Sequence, residues 1–293
     1  MAVPSVSRRS FLALAAGSVR AQTSDGAAVV EFTCPMDRDV RSKTPGKCPK
    51  CGMKLEAGIP ELVAYLLRLN IDPPQAPAGR PLHLTFRVSD PKTGAAVRDF
   101  QIFHERYFHL FTVSSDLEFF AHEHPELGRD GTFRHILTLP KPAHYKLLAD
   151  FYPTGGTPQL IPKLITTAGY KKGLSESCTH PAADLTPKQS ANLEVSLTME
   201  PPQPIAGKKT LLFFNLTPSD GLELYLGAWA HMLMASDDLL DADHTHPSIA
   251  NGGPEVQFDV FFPREAMYRV WVQFQRLGQV NTVAFTIPVS SLK

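Results

Sequence analysis

Leu193-Glu194-Val195-Ser196-Leu197-Thr198-Met199 alternates apolar and polar side chains with a period of two. In an extended chain that period puts every apolar residue on one face, so the stretch predicts a half-buried β-strand. Leu62 to Ile71, read alone, passes equally for a short helix. An internal repeat removes the ambiguity. Asp72-Pro73-Pro74-Gln75-Ala76-Pro77-Ala78-Gly79 corresponds to Glu200-Pro201-Pro202-Gln203-Pro204-Ile205-Ala206-Gly207. The segments before these two are therefore counterparts, and Leu67, Leu69 and Ile71 fall on the face that carries Val195, Leu197 and Met199.

The repeat extends outward. His109, Ser114, Asp116, Leu117, His122, His124 and Pro125 recur at identical spacings as His231, Ser236, Asp238, Leu239, His244, His246 and Pro247. Leu139-Pro140 matches Phe262-Pro263, Tyr145 matches Tyr268, and Phe151 matches Phe274. Further alternating stretches run from Leu82 to Val88 and from Val256 to Val260, while 26 prolines and 19 glycines supply turns. The pattern predicts a mainly β chain: a small zinc-ribbon-like knuckle at 22–60, then two tandem Ig-like or cupredoxin-like β-sandwich repeats at 61–170 and 191–293, with a linker at 171–190.

Residues 1–21 read as an address. Arg8-Arg9 precedes a short apolar stretch, Phe11 to Ala16, and Val19-Arg20-Ala21 ends it with small residues suited to signal peptidase. The arginine pair is similar to a twin-arginine export signal, which implies a periplasmic or otherwise exported protein. Removing 1–21 takes away Arg8, Arg9 and Arg20 and no acid, leaving 26 basic residues against 29 acidic. So mild a charge implies no nucleic acid or other polyanion as partner. No apolar run approaches the ~18 residues of a membrane helix.

Of the four cysteines, three crowd together in Cys34-x2-Asp37-x10-Cys48-x2-Cys51. Two tight chelating turns separated by a loop are how a tetrahedral metal site is built from a short chain. Pro35 and Pro49 stiffen the turns, and Gly52 permits a positive φ. A module of ~30 residues buries too little surface to fold unaided, so a metal would supply much of its stability. Met36 and Met53 stand beside the cysteines as either soft ligands or packing residues. A purely structural zinc knuckle and a Cys48–Cys51 disulfide are the competing readings.

Residues 31–58 resemble the heavy-metal-binding domain of copper-exporting P-type ATPases and of periplasmic adaptors of metal-efflux pumps. The resemblance implies a transition metal, Cu or Zn, and a metal-efflux transporter as partner. Family members commonly carry His where this chain has Asp37. The harder carboxylate favours Zn²⁺ or Cu²⁺ over Cu⁺. The two β copies also resemble, loosely, domains that accompany this module in secreted proteins.

The repeated histidines form candidate second metal sites: His109, His122 and His124, and again His231, His244 and His246. Symmetric pairing about the Ser114–Leu117 turn sets His109 opposite His122, with His124 two residues on; the second copy sets His231 opposite His244. The alternative is that these residues only fix the turn. His104 and Glu105 are weaker candidates without a His counterpart, alternating Met232 and Met234 read as core, and the linker residues Cys178 and His180 read as incidental.

These features point to a non-enzymatic metal-binding protein for periplasmic sequestration, delivery or resistance, or to an adaptor module whose metal is structural. A blue-copper site needs a Cys within the sandwich, and neither β copy has one. His122-Glu123-His124 has the wrong spacing for a helical zinc protease, and no serine elbow or phosphate-cradling glycine loop occurs.

Overall fold

The computed structural model describes residues 31–37, 40–58 and 63–292. The export-signal expectation at 1–21 lies outside them. The knuckle is a three-stranded antiparallel sheet of two-residue strands, β1 (Phe32–Thr33), β2 (Arg41–Ser42) and β3 (Glu56–Ala57), with β1 in the middle.

The first repeat contains β4 (Leu66–Asp72), β5 (Pro81–Ser89), β6 (Phe108–Ser114), β7 (Phe120–Glu123), β8 (Glu126–Leu127), β9 (Thr132–Thr138), β10 (His144–Phe151) and β11 (Gln159–Thr166). They form two sheets, β4-β5-β9-β8 and β11-β10-β6-β7. The strand expected from the repeat is β4: Leu67 is buried, Leu69 and Ile71 pack against the core, and Arg68 and Asn70 point away. In β5 the alternation is complete, with Leu82, Leu84, Phe86 and Val88 all buried.

The second repeat contains β12 (Lys188–Gln189), β13 (Glu194–Glu200), β14 (Lys209–Thr217), β15 (Leu222–Glu223), β16 (His231–Ser236), β17 (Ala242–Thr245), β18 (Glu255–Phe261), β19 (Ala266–Arg276) and β20 (Gln279–Val289). Its sheets run β12-β13-β14-β18 and β15-β19-β16-β17, and β19 also pairs along its length with β20. Val195, Leu197, Leu212 and Phe214 from one sheet meet Met232, Met234, Val270 and Val272 from the other. The alternating methionines are thus core residues, as their period suggests.

Between the repeats the chain is ordered locally. A single helical turn, α1 (Leu174–Ser177), is followed by a backbone bridge from Asp184 to Thr286, and 188–189 already pair with β13. His180 Nδ1 reaches Asp237 at 2.6 Å and the Thr179 hydroxyl donates to the Asp116 carbonyl, so this segment is tied to one turn of each repeat.

Every residue of β6 and of β16 is buried. A strand with one face on its own core does this only if a second layer covers the other face. That layer is the other repeat. Phe108 and Leu110 enter the first core, while Phe111 and Val113 point outward. There they join Leu117 and Leu148 against Leu233, Ala235, Leu239 and Trp271. The facing residues are repeat counterparts, Phe111 of Leu233 and Val113 of Ala235, so the interface relates the two halves by a pseudo-twofold axis.

Candidate metal centres

In the knuckle, the cysteine turns aim their side chains inward and the sheet covers them. Cys34, Cys48 and Cys51 are buried, and Asp37 is half-buried beside them. Cys34 Sγ and Cys51 Sγ are 3.4 Å apart, and Asp37 Oδ2 lies 3.2 Å from Cys48 Sγ and 3.6 Å from Cys34 Sγ. All four ligand atoms lie within 4.8 Å of one another. A disulfide needs sulfurs ~2.05 Å apart, and all three cysteines are free thiols. A tetrahedral ion with Zn–S bonds of ~2.3 Å separates its sulfurs by about 3.8 Å, so the set fits such an ion with small adjustment. Backbone N–H groups of Asp37 and Lys50 point at Cys34 Sγ and Cys48 Sγ, which favours thiolate.

The electrostatics of this pocket call for a cation. Hydrogen bonds from Cys48 and Cys51 hold the Cys34 thiol down at about 4. The same contacts push Cys48 and Cys51 up. Burial raises the Asp37 carboxyl to about 6. The thiols lower Cys34 at the expense of Cys48 and Cys51, and a bound cation favours ionisation of all four groups.

The knuckle docks on the first repeat. Cys34, Cys48, Cys51, Met53 and Leu55 form one apolar cluster with Phe103 and Tyr152, and Met36 packs at its margin. The Tyr152 hydroxyl donates to Glu56 at 2.7 Å.

The repeated histidines converge on the pseudo-twofold interface, but not by the expected pairing. Phe111 opposes His122 and Leu233 opposes His244, a register two residues away from the one that would pair His109 with His122. A shift of two keeps each side chain on its face, so the histidines still meet. His109 Nδ1 lies 3.0 Å from His122 Nε2, and His231 Nδ1 lies 3.3 Å from His244 Nε2 and 3.1 Å from His246 Nε2. His109, His122 and His124 place one ring nitrogen each within 4.8 Å of the others, and so do His104, His231 and His246. Burial, and then neighbouring imidazoles, push His109, His231 and His246 well below the usual histidine range. His122 follows for the same reasons. Burial with the nearby charge of Arg106 takes His124 to about 4. The rings are therefore neutral lone-pair donors at pH 7.

Residues 64–168 and 188–291 match, as two consecutive copies, one family described as a domain of unknown function (DUF8832). The chain belongs to the DUF8832 family. Residues 32–57 match the heavy metal binding domain. No curated protein matches the chain. Solved structures with similarity include the FN1–FN3 domains of chicken CNTN1, at 11% identity and a TM-score of 0.22, covering 80% of this chain and 70% of that one. The D1–D4 ectodomain fragment of ICAM-5 gives 11% identity and a TM-score of 0.23, covering 81% and 63%. The β-sandwich description of the DUF8832 repeats rests on the strand pairing above.

Three further residues complete the histidine cluster: His104, a weaker candidate from the sequence, and Asp150 and Gln273, which carry no motif there. His104 stacks on His246 across the repeat boundary, with ring centres 3.6 Å apart. Its counterpart in the second DUF8832 copy is Leu226; both take a left-handed backbone, φ 47° and 49°. Asp150 and Gln273 are also counterparts, each paired in register with the first histidine of its own copy. Asp150 holds His244 and Gln273 holds His122, each reaching the opposite repeat. Their alignment next to the matched Phe151 and Phe274 was the available signal. Cys178 and His180 join neither cluster.

The repeated Ser and Asp have a separate role. Ser114 donates to Asp116 at 2.5 Å and Ser236 to Asp238 at 2.7 Å, locking the two turns. The turns are thus fixed without the histidines.

Proposed function

We propose that this is an exported, non-enzymatic protein that binds copper or zinc for sequestration, delivery or resistance, with the ion held by Cys34, Asp37, Cys48 and Cys51. The observation that carries this reading is the convergence of three thiols and a carboxyl within 4.8 Å inside a matched heavy metal binding domain. The mixed S₃O donor set suits a borderline divalent ion. Met36 and Met53 remain available as soft ligands for Cu⁺. The Arg8-Arg9 leader supports export. No helix among the described residues is long and apolar enough to cross a membrane.

The docking of the knuckle through Phe103 and Tyr152 favours a second reading, in which the ion only folds the knuckle onto the first repeat. Metal analysis of protein purified from the periplasm decides between binding and none. The proposal expects about one thiolate-bound ion per chain, lost in Cys34→Ser/Cys48→Ser/Cys51→Ser. An unchanged metal content in that variant overturns it. Exchange of the ion with a chelator while the knuckle stays docked supports delivery; unfolding on exchange supports the structural reading.

A further inference from the structure

We propose that the two repeats jointly build a second metal centre, a pair of copper ions held by imidazoles across their pseudo-twofold interface. This centre uses no residue of the knuckle, so it stands or falls separately from the cysteine site.

Hydrogen bonds to pure acceptors fix where the ring protons lie. His109 Nε2 faces the Phe103 carbonyl at 3.1 Å, and His231 Nε2 faces the Tyr225 carbonyl at 2.9 Å. A carbonyl only accepts, so both Nε2 atoms carry hydrogen and both Nδ1 atoms present lone pairs. His244 Nδ1 faces the Asp150 carboxylate at 2.6 Å, and His122 Nδ1 faces the Gln273 amide oxygen at 2.7 Å, whose amide nitrogen donates to Thr282. Those contacts fix the hydrogens on Nδ1 and leave both Nε2 atoms as lone pairs.

Lone pair then meets lone pair twice. His109 Nδ1 confronts His122 Nε2 at 3.0 Å, and His231 Nδ1 confronts His244 Nε2 at 3.3 Å. Each contact is repulsive unless a cation sits between the nitrogens. A proton on His244 would fill one gap, and His246 Nε2, 3.1 Å from His231 Nδ1, can donate there, but both leave the buried His104 Nε2 and His124 Nε2 unpaired. Buried polar atoms without partners are rare and costly. Ions bound at ~2.0–2.1 Å place tetrahedral nitrogen ligands about 3.3 Å apart, the spacing seen here.

Two such points exist, one per repeat. His109, His122 and His124 surround the first. His104, His231 and His246 surround the second, one ring nitrogen of each lying within 4.8 Å of the others, and His244 Nε2 approaches it through His231 Nδ1 at 3.3 Å. The His109 and His231 rings stand 6.2 Å apart, which allows two separate ions. Charge selects among imidazole-binding metals. Two divalent ions would bring four positive charges to a buried cluster whose direct carboxylate partner is Asp150, with Asp243 next along the chain from His244, whereas two cuprous ions bring two. His124 also lines a surface cleft with His83, Glu126 and His135, which gives an ion a way in.

The supports differ between the halves. Asp150 backs His244 with a charge, while Gln273 backs His122 with a neutral amide. A carboxylate behind an imidazole makes it a stronger ligand, so the ion of the second repeat is the tighter one.

The test uses the full chain with all four cysteines changed to Ser, loaded with Cu⁺ without oxygen and dialysed against a moderate chelator. The expected result is two copper ions per chain with an all-nitrogen shell in the X-ray absorption spectrum. His104→Leu, which copies Leu226, should weaken one ion about tenfold, and His124→Gln should weaken the other about tenfold. Fewer than one copper per chain, zinc retained in preference to Cu⁺, or neither variant changing retention overturns the proposal. If a variant unfolds, the absorption spectrum of the cysteine-free chain decides alone: a shell containing oxygen in place of imidazole nitrogen sinks the idea.

Discussion

His244 of the second repeat and Asp150 of the first lie 2.6 Å apart, both buried, 94 residues apart in sequence. The contact clamps the two sandwiches together at the histidine cluster. Losing a buried hydrogen bond to a charged group typically costs ~1.5–3 kcal/mol. Asp150→Ala is therefore expected to lower stability by about 2 kcal/mol. Asp150→Gln installs the residue that the second repeat uses at the equivalent position, Gln273, and should cost less than half as much. Urea denaturation of the two variants checks this; equal losses would show that the hydrogen bond to His244 contributes nothing.

Trp271 tests the apolar part of the same interface. It stacks on Phe120 with ring centres 5.2 Å apart and planes 9° from parallel, and it packs in the cluster with Phe111 and Leu148. Truncating a buried large aromatic usually costs ~3–5 kcal/mol. Trp271→Ala is expected to destabilise the chain by about 3 kcal/mol and to let the repeats separate. Small-angle scattering should then show a larger radius of gyration. A compact variant of unchanged stability would mean that the sandwiches are held by other contacts.

The sequence displayed the individual layers better than their association. Period-two alternation in 193–199 and in 82–88 announces strands because one face of each meets a core and the other meets water. Three cysteines in two tight turns announce a metal knuckle because few other structures need them. The interface was harder to read. Phe108 to Ser114 interrupts its apolar residues with His109, Thr112 and Ser114, so it shows neither a clean alternation nor what covers its second face. The register differs by two residues because the turn is centred one residue later than Ser114–Leu117: Val113 pairs with Phe120 and the Ser114 N–H donates to the Phe119 carbonyl. Asp150 and Gln273 became meaningful only once strand pairing put each beside a histidine. His104 was discounted because Leu226 replaces it, and its value comes from crossing to the other repeat.

The turn of the second repeat gives a pH prediction. Burial pushes the Asp238 carboxyl up, but the Arg264 guanidinium, the Leu240 N–H and the Ser236 hydroxyl outweigh burial and hold it at about 2. A folded pKa below the unfolded value of ~3.9 stabilises the fold above about pH 4, and that contribution is lost as pH falls toward 2. Arg264 and Asp238 are both about a third exposed, so solvent screening keeps the gain near 1 kcal/mol or less. Arg264→Ala should lower stability at pH 7 by about that amount and should flatten the loss between pH 4 and 2. Urea midpoints at pH 7 and pH 3 check it. An equally steep acid loss in the variant would assign the acid sensitivity to other carboxylates.

Asp37 is expected to show the opposite sign. Burial raises its carboxyl to about 6 from the ordinary 3.8. A folded pKa above the unfolded one means that the metal-free knuckle is favoured in acid and loses this contribution as pH rises from about 4 through 6. A cation that binds the carboxylate must displace that proton, so its advantage grows over the same interval. Zinc affinity of the wild type should therefore exceed that of Asp37→Asn by about tenfold at pH 7.5, as for loss of one oxygen ligand from a four-ligand site. The two affinities should converge near pH 5, where the wild-type carboxyl is itself protonated. Competition titrations at several pH values measure the gap. A gap that persists unchanged to pH 5 would show that Asp37 supports the thiolates only from outside the ion's coordination shell.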